Sequence, residues 1–215
     1  MSDTTDTITI TVAGMDDSID IIDLADGDTH DMMNDISVYY DDYLETLAPK
    51  LYVWKLWEDA HMPEYGSEWA ACFDLKASLR AGDEITVYGE SNLKGKRKVG
   101  DQRQIELYSG ERMLVPTGLV FDLSEGTSLR IHPRSGLSLK NGIVVANCEG
   151  VVDADYVHQT YVMLHNISHE IFTIRDGDRI AQGEVVAAYQ VQFEEAEREP
   201  EEKTSRSGGF GSTGV

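Results

Sequence analysis

Short apolar runs, each closed by Gly, Pro, Asn or Asp, fill this chain from Leu51 to the acidic stretch that begins at Glu194. Leu51–Trp57, Ile105–Tyr108, Met113–Leu123, Leu129–Ile131, Gly142–Ala146, Thr160–Leu164 and Ile171–Ile174 are of strand length and rich in β-branched and aromatic residues. Helical periodicity is scarce and strands do not alternate with helices, so the pattern predicts an all-β sandwich or jelly roll rather than a parallel α/β sheet. At 215 residues and 41% apolar the chain can build one core with extensions. No run is long enough to span a membrane, and the polar start Met1-Ser2-Asp3-Thr4 is not a signal peptide. Cys72 and Cys148 have no metal-binding spacing and fit a reducing cytoplasm.

The ends have a different texture. Thr7–Val12 alternates and predicts a strand, whereas Asp16–Asp42 is dense in Asp, and no Lys or Arg occurs before Lys50. Within that region Ile36, Tyr39, Tyr40, Tyr43, Leu44 and Leu47 fall at helical spacing, which predicts an amphipathic helix over Asp35–Leu47. Residues 1–50 therefore form an acidic extension, either a solvated appendage or a docking segment for a protein partner. Residues 51–193 form the main domain, with a polar insert at 84–104 carrying Lys94, Lys96, Arg97, Lys98 and Arg103 as a loop or hairpin. Residues 194–215 are an acidic linker followed by a glycine-rich tail too sparse in apolar residues to fold alone. A net charge of −21 argues against general nucleic-acid binding. It also means that an anionic ligand needs local guanidinium groups or a divalent cation.

The chemistry concentrates between Ile131 and Tyr156, IHPRSGLSLKNGIVVANCEGVVDADY. Pro133 ends the preceding strand. Arg134, Ser135 and Gly136 then offer a guanidinium, a hydroxyl and an approachable backbone, a combination suited to a phosphate; alone it is also an ordinary polar turn. Asn147 follows an apolar run and can both donate to and accept from a nucleobase edge. Asp153 and Asp155 would share a face on a strand at an electrostatic cost, but could diverge at a turn. One of them could act as a general base on water, and Tyr156 offers a flat ring. His165 and His169 lie on a strand and a turn, a setting that disfavours a metal site.

The order and spacing of these residues resemble the trimeric dUTPase family. Ala70–Ala77 (AACFDLKA) is similar to its first motif, with Cys72 where the family usually has Gly; PRSGLSLKNGI and NCEGVVDADY resemble the second and third; DGDRIAQ, ending at Gln182, resembles the fourth; RSGGFGSTG resembles the fifth. The resemblance implies a distorted jelly-roll β-barrel, a homotrimer with active sites shared between subunits, and Mg²⁺-dependent conversion of dUTP and water to dUMP and pyrophosphate. Such a reaction provides dUMP for dTTP synthesis and keeps uracil out of DNA. Asp153 would activate the water that attacks the α-phosphorus, and Ser135 would stabilise the bridging oxygen. Arg134 and Gly136 would hold phosphate, as would Gln182. Asn147 with the backbone of Val151, Val152 and Asp153 would read uracil. Tyr156 would pack on the deoxyribose and Tyr161 would touch substrate. Phe210 would stack on uracil, and Arg206, Ser212 and Thr213 would reach the γ-phosphate end. Asp74 would order the phosphate and metal region without direct ligation.

Three departures stand out: Cys72, the turn Val157-His158-Gln159 after the third motif, and Arg206, which lies one residue closer to its glycines than is usual in the family. The related dCTP deaminase reading needs a Glu on the strand after the third motif, and Thr160–Leu164 has none. A regulatory protein on the same scaffold, acting through the acidic extension or the basic insert, is a further reading. Against it, the intact Asp153 and tail argue for retained catalysis without excluding a second role. A purely structural jelly roll would not need Asp153, Asn147 and Phe210 together.

Overall fold

The computed structural model describes residues 50–204, together with the backbone of 8–11 and 18–21. The chain divides into two compact units, Met1–Lys50 and Leu51–Val215. In the first, β1 (Ile8–Thr11) pairs antiparallel with β2 (Ser18–Ile21), Ile8 lying opposite Ile21. The helix expected over Asp35–Leu47 lies outside the described residues.

The second unit is built almost wholly of strands, as the punctuated pattern requires. One five-stranded sheet runs in the order β13 (Gly150–Asp153), β11 (Thr127–His132), β16 (Arg179–Ala187), β5 (Phe73–Lys76), β4 (Glu64–Tyr65). The other runs β12 (Ile143–Val145), β14 (Tyr161–Asn166), β9 (Arg112–Pro116), β6 (Glu84–Tyr88), β7 (Lys94–Lys98). Two ribbons complete it, β3 (Tyr52–Lys55) with β10 (Leu119–Asp122), and β8 (Gln104–Leu107) with β15 (Phe172–Arg175). All pairings are antiparallel. Inward residues of both sheets, among them Phe73, Leu75, Val87, Met113, Leu129, Ile131, Leu164 and Ile180, form one buried apolar cluster with Phe121 and Ile174 from the ribbons. No helix among the described residues is long and apolar enough to cross a membrane.

The polar stretch 84–104 contributes to this core. It folds as the β6–β7 hairpin, and β6 also pairs with β9, so Ile85, Val87 and Val99 are buried while Lys94, Lys96 and Lys98 stay exposed. The basic cluster is partly consumed internally: Arg97 donates to both carboxylate oxygens of Glu111 at 2.6 and 2.8 Å and lies 4.1 Å over the Tyr108 ring. Burial works to raise the Glu111 carboxyl; the hydrogen bonds from Arg97 and from the Tyr108 N–H outweigh it and hold the pKa below its ordinary value.

Strand β16 is irregular at its start. It shifts register between Arg179 and Ala181, and both Ile180 and Ala181 are buried. A bulge of this kind inserts one residue and re-aims the side chains on either side of it. Further along the same strand, Gly183 lies where a Cβ would come within 2.8 Å of the Phe73 ring and 2.9 Å of Leu129. The sheet closes on its core there only because no side chain intervenes. Gly183→Ala should therefore overpack the sheet and destabilise the protein by about 1–3 kcal/mol, read as a lower Tm; an unchanged Tm would show that Phe73 can yield.

Candidate active site

Pro133 stops β11, and Arg134 stays extended (φ −89°, ψ 125°) as the cap of a short helix, α1 (Ser135–Asn141), which Gly142 closes in the left-handed conformation (φ 64°). The segment read from sequence as a polar loop is thus the first turn of a helix. Ser135 and Gly136 are exposed, and a Cβ on Gly136 would meet nothing within 4 Å. The first-turn N–H groups of α1 have no intrahelical acceptors. They face open space that an anion can enter.

Arg134 is fixed from one side. Its Nε lies 2.9 Å from Asp74 Oδ1, and its Nη1 donates to the Arg179 carbonyl at 3.3 Å. The other Asp74 oxygen receives Arg179 Nη1 at 3.2 Å. The Asp74 side chain is only 13% exposed, so its charge needs these partners. Gln182 sits opposite Asp74 in the sheet and donates through Nε2 to the Pro133 carbonyl at 3.2 Å. Three segments distant in sequence therefore meet on one rung. Two guanidiniums share one carboxylate, which leaves a surplus positive charge beside the open end of α1.

The residues from Asn147 to Tyr161 sit elsewhere. Asn147 is exposed in the turn between β12 and β13, where its carbonyl accepts the Glu149 N–H at 2.7 Å. That turn joins two different sheets, since β12 pairs with β14 and β13 pairs with β11. Val151 is exposed and Val152 buried on β13. Asp153 is the exposed last residue of β13, and Asp155 lies in the turn beyond, so the two carboxylates diverge. The Tyr156 N–H donates to the Asp153 carbonyl at 3.1 Å, and its hydroxyl donates to the Gln159 carbonyl at 2.9 Å. Tyr161 begins β14; burial, and then Tyr156 nearby, push its phenol up. Asp153 pairs with Ser128 at the start of β11, while Arg134 follows that strand's end. Six residues at the rise of a strand separate them by roughly 20 Å. Arg206, Phe210, Ser212 and Thr213 lie outside the described residues.

The sequence model of the dUTPase family matches residues 100–214. The deoxyuridine 5'-triphosphate nucleotidohydrolase of Caulobacter vibrioides is 42% identical over 165 residues, covering 75% of this chain and 92% of the relative. The protein of the same name from Rhizobium leguminosarum bv. trifolii is 38% identical over 159 residues, covering 74% and 88%. The chain belongs to the dUTPase family. Among solved structures, a point mutant of the Staphylococcus bacteriophage 80alpha dUTPase with dUpNHpp superposes with a TM-score of 0.62 at 20% identity, over 78% of this chain and all of that one (100%). A phage phi11 dUTPase described with a structural Mg(II) ion gives 0.55 at 19% identity, over 70% and 98%. These two likenesses bear on the fold, which is the jelly roll of dUTPases.

Within this dUTPase chain Arg179 is the residue that motif reading passed over. In a regular strand, residues 179 and 182 would face opposite sides, because side chains alternate. The bulge puts both on the face of Asp74. Two apolar residues in a row, Ile180-Ala181, were the available signal. If Asp74 positions both guanidiniums, Asp74→Asn should weaken binding of inorganic tripolyphosphate by about 10-fold to 100-fold, the range for losing charged hydrogen bonds. Arg179→Ala should weaken it as well. Calorimetric affinity equal to wild type in both variants would remove this rung from anion binding.

Proposed function

We propose that this protein hydrolyses dUTP to dUMP and pyrophosphate at sites assembled from different copies of the chain, as a homotrimer. The observation that carries the reading is the Asp74–Arg134–Arg179 rung beside the open first turn of α1. It is a positively charged cradle in a chain of net charge −21. Family membership supplies the substrate class.

In this reading Arg134, the Gly136 backbone and Gln182 hold the phosphate chain. Asp153 takes a proton from water, whose oxygen attacks the α-phosphorus as the bond to the bridging oxygen breaks and pyrophosphate leaves. Ser135 donates to that bridging oxygen as charge builds on it. Asn147 and the β13 backbone read uracil; an amide donor facing O4 rejects cytosine, whose exocyclic amine is itself a donor. Tyr156 packs on the deoxyribose, and its hydroxyl is already committed to Gln159, which fixes the ring. Tyr161 contributes a contact beside it.

The separation along β11 supports sharing. The cradle lies roughly 20 Å along β11 from Asp153 of the same chain, a gap that Asp153 from a second copy would close. Exposed apolar side chains on one face of β3, Tyr52, Trp54 and Leu56, are surface that assembly can bury. Mg²⁺ fits this donor set as a companion of the substrate. Both oxygens of Asp74 are engaged by guanidiniums, so the ion would be held by triphosphate oxygens and waters, with Asp74 acting only through water or by ordering its neighbours. Bound there, Mg²⁺ would offset phosphate charge. Deamination of dCTP is disfavoured because β14, Tyr-Val-Met-Leu-His-Asn, carries no carboxylate. The acidic residues 1–50 remain a candidate docking segment for a protein partner, and the cytoplasm is the compartment that suits two free cysteines.

The decisive assay is pyrophosphate release from dUTP, dCTP, dTTP and UTP with Mg²⁺, with ammonia followed in parallel. Release from dUTP alone, without ammonia, is expected; ammonia from dCTP would replace this reading with a deaminase. Asp153→Asn should lower kcat by about 10²-fold to 10⁴-fold, and Arg134→Ala should also be nearly silent. Co-refolding the two variants should restore part of the activity, because some mixed sites combine an intact cradle with an intact Asp153. A silent mixture would put both residues in one chain's site.

Residues 191–204 are exposed and carry neither helix nor strand. Truncation after Lys203, which removes Arg206, Phe210, Ser212 and Thr213, should therefore leave Tm nearly unchanged while kcat/KM for dUTP falls steeply. Full activity in the truncated protein would exclude the tail from the site.

A further inference from the structure

One rung along the same sheet from the cradle lies a second cluster with different chemistry. The register that sets Phe73 opposite Gly183 puts Cys72, just before β5, across from Glu184 on β16. His132, the last residue of β11, pairs with Gln182, so its ring shares the face of Glu184 two residues further on. Cys72 Sγ, a His132 ring nitrogen and a Glu184 carboxylate oxygen all lie within 4.8 Å of one another, and all three residues are half-buried. His132 Nε2 is 3.1 Å from Glu184 Oε1, and its Nδ1 is 3.7 Å from Glu149 Oε1. Arg130 Nη1 holds the other Glu149 oxygen at 3.2 Å.

We propose that Cys72, His132 and Glu184 form a binding site for a thiophilic divalent cation, zinc being the type that fits, distinct from any magnesium carried by a nucleotide. One thiolate, one imidazole and one carboxylate on three adjacent strands make a three-ligand site that water completes. The sulfur excludes Mg²⁺, which demands oxygen ligands. Glu149 against Nδ1 supplies the outer carboxylate that commonly orients a metal-bound imidazole through its second nitrogen. Charge points the same way: the carboxylates of Glu149 and Glu184 face a single guanidinium, a deficit that a divalent cation fills. Burial, and then the Glu184 carboxylate, push the Cys72 thiol up, so the cation must displace a proton to bind.

The location gives the site a consequence. Cys72 and Glu184 sit two residues from Asp74 and Gln182, and His132 is both the β11 partner of Gln182 and two residues from Arg134. A cation there ties β5, β11 and β16 together directly beside the phosphate cradle. It stabilises the sheet without touching the substrate.

Full-length protein stripped with a chelator and titrated with Co²⁺ tests this. One equivalent per chain should bind and produce a thiolate-to-cobalt charge-transfer band, which Zn²⁺ then displaces. Cys148→Ser should keep the band, because Cys148 is exposed in the β12–β13 turn. Cys72→Ser should lose it, and His132→Gln should weaken Co²⁺ binding at least tenfold. Zn²⁺ should raise Tm of the wild type and of Cys148→Ser, but not of Cys72→Ser. No band in the wild type, a band that survives Cys72→Ser, or a band lost only with Cys148→Ser would each overturn the proposal.

Discussion

A carboxylate that is almost out of water, shared by two guanidiniums, is the interaction on which the rest of the molecule turns. Asp74 cannot sit on β5 with little exposure unless cations reach it. Arg134 arrives because Pro133 ends β11 at the right rung. Arg179 arrives because β16 carries a bulge two residues before it returns to register at Ala181. The three strands β11, β16 and β5 are held in sequence by backbone pairing, so the clamp is set by the sheet and not by loop conformation. Its product is a fixed pair of guanidiniums with one charge unneutralised. A fixed donor is worth more to an anion than a mobile one, because it loses less freedom on binding.

The same strand that delivers Arg134 keeps Asp153 away from it. Strand β11 acts as a spacer: its end carries the cradle, and its start pairs with the end of β13. No loop rearrangement among the described residues of one chain can close that gap, since both ends are anchored in one sheet. In the proposed reaction, sharing of the site between copies would answer to strand length rather than to any special interface residue. On that proposal a monomer would carry every catalytic group without a complete active site, and activity would depend on assembly.

Much of this was legible in the sequence, for identifiable reasons. The strands were readable because alternation and turn residues are local signals, as in Ile8-Thr9-Ile10 or Leu129-Arg130-Ile131. Motif order gave Asp74 a role in ordering the phosphate region, but not its contact with Arg134, since the two stand 60 positions apart and nothing local links them. The short helix after Arg134 was missed because Ser-Gly-Leu-Ser looks like a turn; its apolar residues are too few to show a helical face. Arg179 was missed because a bulge breaks the period of two on which strand reading depends. The polar stretch 84–104 was legible as a loop or hairpin, but its part in the core was not, because its charges outnumber Ile85, Val87 and Val99, which are the residues that pack. The cluster of Cys72, His132 and Glu184 left no trace in the sequence, because ligand spacing along the chain says nothing about side chains brought together across strands.

Ligands gathered across strands also change how a strongly acidic protein handles a polyanion. The mean field of the chain repels triphosphate, and only local structure can reverse it. The outer face of the sheet does so by segregating charge along its strands: positive surplus at the rung of Asp74, Arg134 and Arg179, negative surplus one rung away at Glu149 and Glu184. Left alone, the negative rung would lower the potential at the cradle, because the two are separated by only about 7 Å, well inside the screening length of physiological salt. Neutralising it with a divalent cation would remove that penalty while pinning the strands that carry Asp74, Arg134 and Gln182. With a cation bound, Cys72 would act electrostatically on the affinity of a cradle that it does not touch.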